Sequence, residues 1–542
     1  MATRHRTAMT HAPEDAARPD GAGTPRLVYG VIVGCTVLAL ALRLFQLSRP
    51  GYLLGVTEYD DGALFGNAVR LVNGAIPYRD FAVVQPPGSI VLMAPVALLS
   101  KVTGTAWGLG IARLLTVAAD TACVALLGLL VRHRGALAAG VACSVYAVYP
   151  DALVASHTLL LEPWLNLFCL IGALLVFDGD RMAGSRRRLA WGGVAFGFAV
   201  AIKLWAVIPL VIVGLLLARW PRRVAALAVG AAAGLIVPVL PFLAAAPRRL
   251  ISDTITSQAT KTDRFGVLPR LTLLGRWQRM KDLTGLAIFH AFPARGGAFV
   301  LLTIVVAVLA TYMMACVIVG RLPAPLDWYA VIGALAVIIL FLWPQLYYPH
   351  YGAFEGPFLA LALALPVGLL RPAESSIHLG AALAVGMTAA VLVAAVSLWQ
   401  VGRMTRLKSP IAPSVIATGD QLIPPGSCVV TNNPSYTIAA NRFVSNVPGC
   451  PSVVDSFGTL MAMTGGQDLG ARPPVVRSAA EAWQTWFAHA DYIWLDPTAG
   501  AGQIPWTHAL YSYLAGHFRL VALPSHHPPH GNVPRGGLYQ RR

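Results

Sequence analysis

The side chains able to do chemistry in this sequence are few and sit in short polar windows between apolar runs. The first window reads Glu58-Tyr59-Asp60-Asp61-Gly62 and is followed by Tyr78-Arg79-Asp80 and Gln85-Pro86-Pro87-Gly88. Leu64, Ala68, Leu71 and Val72 recur at helical spacing and Gly74 ends the repeat, which predicts a short amphipathic helix along a membrane surface. Asp60 and Asp61 fall at its N-terminus, where the helix dipole favours carboxylates. They are either a helix cap or a catalytic base: a carboxylate within reach of a hydroxyl takes its proton as the oxygen attacks.

Other windows follow the same pattern. Residues 156–163 hold His157 and Glu162 just before an apolar run, His157 reading more readily as a structural histidine. Lys203 interrupts the apolar stretch 199–210, where a mid-helix lysine costs roughly 2.5 to 3.5 kcal/mol in a bilayer. Its ammonium either snorkels to the interface or is a buried functional cation. Tyr347-Tyr348-Pro349-His350-Tyr351 forms an aromatic collar that either anchors an interface or, through His350 and Tyr348, orients an anionic substrate. Glu355 is an odd charge to bury unless it faces the same cavity. Arg264 and Arg270 in the second loop are weaker candidates for an anion contact, since any loop contains some arginine.

The elements that position these groups are set by composition. The chain has 542 residues, 56% hydrophobic and 12% charged, against about 25% charged in a soluble protein. With a mean hydropathy of +0.64, this excludes a soluble enzyme. The net charge of +17 sits in small clusters such as Arg186-Arg187-Arg188 and Arg222-Arg223 between apolar spans, without a nucleic-acid-binding motif, so no nucleic-acid partner is expected. If every basic cluster lies on the cytoplasmic side, about eleven spans result: 27–47, 107–131, 137–149, 159–177, 189–202, 204–217, 224–244, 298–319, 328–343, 354–370 and 379–399. Residues 83–100 are apolar but contain Pro86, Pro87 and Pro95. A full pass there would send the arginine clusters outside, so a re-entrant or juxtamembrane helix is expected.

The expected fold is therefore an all-α polytopic membrane protein with a C-terminal α/β domain. Residues 1–26 form a disordered cytoplasmic tail, 27–400 the transmembrane domain with large external loops at 48–106 and 246–297, and 401–542 an extracytoplasmic domain. The first apolar run is too long for a signal-peptide core and reads as a retained anchor. Cys35, Cys123, Cys143, Cys169 and Cys316 lie in apolar runs as small hydrophobes. Cys428 and Cys450 remain, in a compartment that permits a disulfide. Trp483 and Trp486 are at helical spacing and read as core, and His526-His527-Pro528-Pro529-His530 reads as a solvated loop without partner ligands.

Over residues 27–400 the sequence resembles the C-type glycosyltransferases (GT-C), which use polyprenyl-phosphate sugars and include protein O-mannosyltransferases, bacterial aminoarabinose transferases and actinobacterial arabinosyl- and mannosyltransferases. The resemblance is carried by Asp60-Asp61 after span one, Tyr78-Arg79-Asp80, Gln85-Pro86-Pro87, Glu162, Lys203 and the second large loop after span seven. Two positions depart from it: the family often has Asp-Glu where this chain has Asp60-Asp61, and a basic residue or histidine where Gln85 stands. The resemblance implies transfer of a hexose or pentose from a lipid phosphate to a cell-envelope glycan, lipid or protein hydroxyl, with inversion, at the extracytoplasmic face of the plasma membrane. It implies Asp60 as base with Asp61 as second choice, and Glu58, Arg79, Gln85, Glu162, Lys203, His350 and Tyr348 as substrate contacts. No cofactor is certain and no metal is assigned, since some members use a divalent metal and others none. The alternative is a transporter or flippase of a lipid-linked sugar, which needs charge through the bilayer centre instead of at one face. The charge-derived topology predicts that a membrane-impermeant label added outside cells leaves a cysteine placed at Arg187 unmodified; labelling there would reverse the orientation.

Overall fold

The computed structural model describes residues 25–259, 316, 322–342, 348–367, 413–464, 477–496, 504–522 and 534–542. The expected spans at 298–319 (apart from Cys316) and 379–399, most of the second loop with Arg264 and Arg270, and the His526 to His530 tract lie outside the described residues.

Helices dominate the described residues as far as 367. They are α1 (Pro25–Leu47), α2 (Tyr59–Val72), α3 (Gly88–Thr103), α4 (Thr105–Val131), α5 (Ala136–Ala147), α6 (Pro150–Ser156), α7 (Leu161–Val176), α8 (Arg186–Ile202), α9 (Val207–Leu216), α10 (Pro221–Ala245), α11 (Pro247–Ile251), α12 (Pro325–Leu342) and α13 (Gly356–Val367). Among the described residues, three helical stretches are long and apolar enough to cross a membrane: Pro25–Leu47, Thr105–Arg134 and Pro221–Ala245. α10 exposes Val229, Ile236, Val237 and Leu240, the outward apolar surface that hydrocarbon accepts and water does not. α3 has 16 residues with Pro95 inside it, about 24 Å of helix and short of a hydrocarbon core of about 30 Å.

α8 and α10 approach closely because both present small residues at four-residue spacing. A Cβ at Gly193 or Gly197 would strike the backbone at Leu227 or Ala231, and one at Gly230 or Gly234 would strike that at Ala190 or Val194. Paired Gly-x-x-x-Gly faces bring backbones into van der Waals contact where water-driven association is absent.

Charge separates the two ends of this bundle. At one end, Arg134 in the turn between α4 and α5 pairs with Asp180 at 2.5 Å and with Asp327 of α12 at 2.6 Å, and His133 meets Asp180 at 2.8 Å. Asp180 lies in the β1 (Phe177–Asp178) to β2 (Arg181–Met182) hairpin joining α7 to α8. Arg188, in the first turn of α8, donates to the carbonyls of Leu174, Leu175 and Phe177 that close α7. Glu162 opens α7 and Lys203 follows α8, so both stand at the far ends of these helices; the 17 residues of α8 put about 25 Å between the Arg186 cluster and Lys203.

Two fully buried ion pairs lock the bundle. Arg43 of α1 donates from Nε to Asp120 of α4 at 2.7 Å and from Nη1 to the carbonyls of Ala39 and Ala147, while the Tyr146 hydroxyl donates to the other Asp120 oxygen at 2.6 Å. Asn166 donates to Tyr146 Oη and to the Ala353 carbonyl. In the second pair, Arg113 of α4 holds Asp61 of α2 through Nε at 3.0 Å and Nη2 at 2.5 Å, and its Nη1 donates to the carbonyls of Tyr52, Leu53 and Gly55. One guanidinium thereby fixes both α2 and the loop leading into it.

The C-terminal region contributes a four-stranded sheet of order β3-β4-β6-β5: β3 (Val429–Thr431), β4 (Tyr492–Leu495), β5 (Phe518–Ala522) and β6 (Gly537–Arg541). β3 runs parallel to β4, and the other pairs are antiparallel. Helices α14 (Pro413–Leu422), α15 (Pro434–Ala439), α16 (Ser456–Thr464), α17 (Arg477–His489) and α18 (His508–His517) accompany it. Trp483 packs in a core with Phe487 and Ile493, and Cys428 and Cys450 are disulfide-bonded. α15 sits on the start of α4, where Thr105 Oγ1 donates to the Ile438 carbonyl and the Ala106 amide to Asn441 Oδ1.

Arg113→Ala strands Asp61 as a buried unpaired carboxylate and is expected to cost about 3 to 5 kcal/mol. Thermal unfolding in detergent measures this, and Arg113→Ala/Asp61→Asn, which removes both charges, is expected to recover most of the loss.

Candidate active site

α2 turns its two aspartates in different directions because successive helical residues are about 100° apart. Asp61 faces inward: besides Arg113, its Oδ1 accepts from the Leu159 amide and its Oδ2 from Thr57. Both oxygens are engaged and the side chain is fully buried, so Asp61, expected as the second choice for base, is the anchor of α2. Asp60 stays partly exposed, in electrostatic contact with Glu58, Asp455, Glu162 and Lys203. Burial, then the negative charges of Glu58, Asp455 and Glu162, push its carboxyl up to about 8, with Lys203 opposing them.

Lys203 is the cation of this cluster. α8 ends at Ile202, and Lys203 takes an extended conformation before the short turn Leu204–Ala206, so its side chain leaves the helix axis without having to snorkel along it. Its Nζ donates to Glu162 Oε1 at 2.6 Å and lies 3.6 Å from the centre of the Trp205 ring and 4.1 Å from that of Tyr351. Only 7% of the lysine side chain and 1% of the glutamate side chain are exposed. A carboxylate and two ring faces hold the ammonium in a fixed place with little water. Glu162 Oε2 makes no hydrogen bond among the described residues.

The segment before α13 closes this side. His350 lies within electrostatic reach of Glu162 and against Tyr351 at 4.8 Å between ring centres, with Tyr348 stacked on His350 at 5.8 Å. The Asn166 bond to the Ala353 carbonyl ties this segment to the Arg43–Asp120 network. The structure thus brings together Asp60, Glu58, Glu162, Lys203 and His350, with Tyr348 at the edge. Glu355 is also buried, three residues beyond Gly352 and one before α13.

The Tyr78-Arg79-Asp80 and Gln85-Pro86-Pro87 stretch contributes differently from expectation. Arg79 pairs with its neighbour Asp80 at 2.9 Å with half of its side chain exposed, so in this structure its guanidinium lies at the surface beside a carboxylate. Tyr78 has a left-handed backbone (φ 66°), and its hydroxyl donates to the Gln85 carbonyl at 2.6 Å, closing a turn. That turn sets Gly88 directly against the backbone of Ala201 and Ile202, the residues before Lys203. Gln85 therefore acts first through its main chain, in a turn that buttresses the lysine. His157 is buried against Tyr52, a structural position.

Sequence reasoning missed Arg113, Trp205 and Asp455, and placed Tyr59 and Tyr351 in their windows without a role. Trp205, two residues from Lys203, carried a usable signal, as did Arg113, an arginine inside an apolar span. Asp455 carried none, because nothing in the linear order puts it beside Asp60. Among the described residues, no group of three or more His, Cys, Asp or Glu side chains is arranged to hold a metal ion. Lys203→Met should leave Glu162 buried without its counter-charge at a cost of about 3 to 5 kcal/mol. Lys203→Met/Glu162→Gln should regain thermal stability without regaining activity, separating the charge's chemical role from its packing role.

No family model and no curated protein matches the sequence. Among solved structures, the chain is similar to the aminoarabinose transferase ArnT from Cupriavidus metallidurans bound to undecaprenyl phosphate, with a TM-score of 0.59 and 14% identity over 94% of this chain and 98% of that one. The apo state of the same protein gives 0.58. The oligosaccharyltransferase AglB from Archaeoglobus fulgidus, in complex with an inhibitory peptide and a dolichol-phosphate, gives 0.51 at 12% identity over 86% of this chain and 69% of that one. With its apolar helices and the acidic first loop held against them, the chain has the GT-C fold shared by these polyprenyl-phosphate-dependent membrane glycosyltransferases.

Proposed function

We propose that this protein is a membrane glycosyltransferase that moves a hexosyl or pentosyl unit from a polyprenyl-phosphate donor to a cell-envelope hydroxyl, with inversion, at the extracytoplasmic face. One observation carries the reading: a partly exposed carboxylate, Asp60, stands at the same end of the bundle as a caged cation, Lys203, about a helix length from the basic clusters. The solved relatives bound to undecaprenyl phosphate and to a dolichol-phosphate support the donor class. The Cys428–Cys450 disulfide supports an oxidising compartment for the C-terminal region.

The roles follow from charge. Asp60, once ionised, accepts the proton of the acceptor hydroxyl as the oxygen attacks C1 of the sugar from the face opposite the phosphate. The bond from C1 to the phosphate oxygen breaks as the new one forms, and the leaving phosphate gains charge beside the Lys203 ammonium, already oriented by Glu162 and the two rings. Glu162 Oε2 is the oxygen placed to receive an acceptor hydroxyl, and His350 and Tyr348 line the donor side. The flippase alternative would draw on a charged path through the bundle. The buried pair there, Arg43 with Asp120, is held in place by Tyr146 and two main-chain carbonyls, with Arg43 Nη2 alone of its guanidinium nitrogens making no hydrogen bond among the described residues.

Asp60→Asn is expected to lower transfer from an undecaprenyl-phosphate-linked sugar by roughly 10²- to 10⁴-fold while leaving donor binding within about twofold. In the wild type, kcat/KM should rise with pH and level off above about 8, because the base works only when deprotonated. Mass spectrometry of envelope glycans and lipids from a deletion strain identifies the sugar and acceptor. Build-up of the lipid carrier on the inner side with every transfer product intact would mean a flippase.

A further inference from the structure

The acidic end of the site is completed by a part of the chain nearly 400 residues away. Ser435 Oγ, at the start of α15, accepts from the Gly62 amide at 2.9 Å and is placed to donate to the carbonyl of Glu58 at 2.9 Å or Tyr59 at 3.2 Å. Residue 62 is glycine where a Cβ would overlap the Ser435 backbone. In the same first turn of α2, the Tyr59 hydroxyl donates to Asp455 Oδ1 at 2.7 Å, lies 3.1 Å from Ser456 Oγ and accepts from the Phe457 amide at 3.3 Å. Asp455 is itself held by the Gly458 amide, which donates to Oδ1 at 2.8 Å. The turn opening α16 is thus bolted to the turn that carries Asp60.

We infer that Asp455 and Tyr59 are positioning residues for Asp60, through which the C-terminal region fixes the first turn of α2 and sets the charge that Asp60 meets. The catalytic consequence rests on the reading of Asp60 as the base; the electrostatic one does not. The groups facing Asp60 are Glu58 from its own helix entry, Asp455 from the turn before α16, Glu162 from α7 and Lys203 from the end of α8, with His350 acting on Glu162. Arg113 from α4 is occupied by Asp61, the lysine of α3, Lys101, is exposed, and α15 contains no charged residue. Asp455 is therefore one of three negative neighbours that hold the Asp60 proton, and removing its charge makes Asp60 easier to ionise.

Infrared titration of the full-length protein in detergent tests this directly, with the Asp60 carboxyl band assigned by its loss in Asp60→Asn. Asp455→Asn is expected to move the midpoint down by about one pH unit, and Asp455→Glu, which keeps the charge, to return it to within a few tenths of the wild type. Tyr59→Phe, which keeps the carboxylate but releases it, should give a smaller shift in the same direction and serves if Asp455→Asn does not fold. An unchanged midpoint in folded Asp455→Asn, or in Tyr59→Phe where Asp455→Asn is unfolded, overturns the inference. In transfer assays with undecaprenyl-phosphate-linked sugars, the acidic limb of kcat/KM should move with the infrared midpoint. If the wild type transfers no sugar and its deletion leaves the envelope unchanged, the glycosyltransferase reading falls while the infrared titration still decides the role of Asp455.

Discussion

The arrangement of the site depends on one buried contact, the Arg113 guanidinium holding Asp61. It spans α4 and α2, and by donating to three carbonyls of residues 52–55 it also folds the loop between α1 and α2 onto the bundle. Because Asp61 is consumed in this way, the adjacent aspartate has a defined direction. A helix with a free first turn would let Asp60 sample many positions; one clamped at the next residue cannot. A base must stand within about 3 Å of the proton it takes, so such clamping is a precondition of its chemistry.

A second constraint is the bilayer. Charges are costly in hydrocarbon, so apart from the mutually paired Arg43 and Asp120 the charged groups of the described helices stand toward helix ends, and helix length then sorts them into two populations. Arg134 and His133 pair with Asp180 and Asp327 at one end, whereas Lys203, Glu162, Asp60 and His350 gather at the other. Close packing keeps the second population convergent: the glycine faces of α8 and α10 let backbones touch, and Gly88 does the same against the last turn of α8. Bulkier residues at these positions would move Lys203 relative to Glu162 by more than a hydrogen bond tolerates.

Much of this was legible in the sequence, for identifiable reasons. Hydropathy marks a buried helix by what it lacks, so the runs containing α1, α4, α7, α8, α10, α12 and α13 stood out. Lys203 and Glu162 were conspicuous because a charge in an apolar run is expensive. Which aspartate of the pair turns inward was not legible, because that depends on where Arg113 emerges from α4. The pairing of Arg79, a substrate contact only by resemblance, was not legible either: the carboxylate one residue away meets its guanidinium at the surface. Asp455, Tyr59 and Ser435 were beyond reach because their role exists only once the sheet region folds back onto α2.

The Lys203–Glu162 pair raises a question that stability alone does not answer. Burying two charges costs several kcal/mol per ion, and their attraction repays this only when the geometry is good, so an apolar pair of similar volume would hold α7 to α8 about as well. Here the geometry is good: a 2.6 Å bond, two ring faces on the ammonium and almost no exposure. The rings matter because they fix the cation without neutralising it, unlike a second carboxylate. What results is positive charge held at one point in a poorly solvated place, beside a carboxyl that retains its proton near neutral pH. A structural pair needs neither feature; a reaction that removes a proton on one side and develops negative charge on the other draws on the raised basicity of that carboxylate once ionised and on the fixed cation.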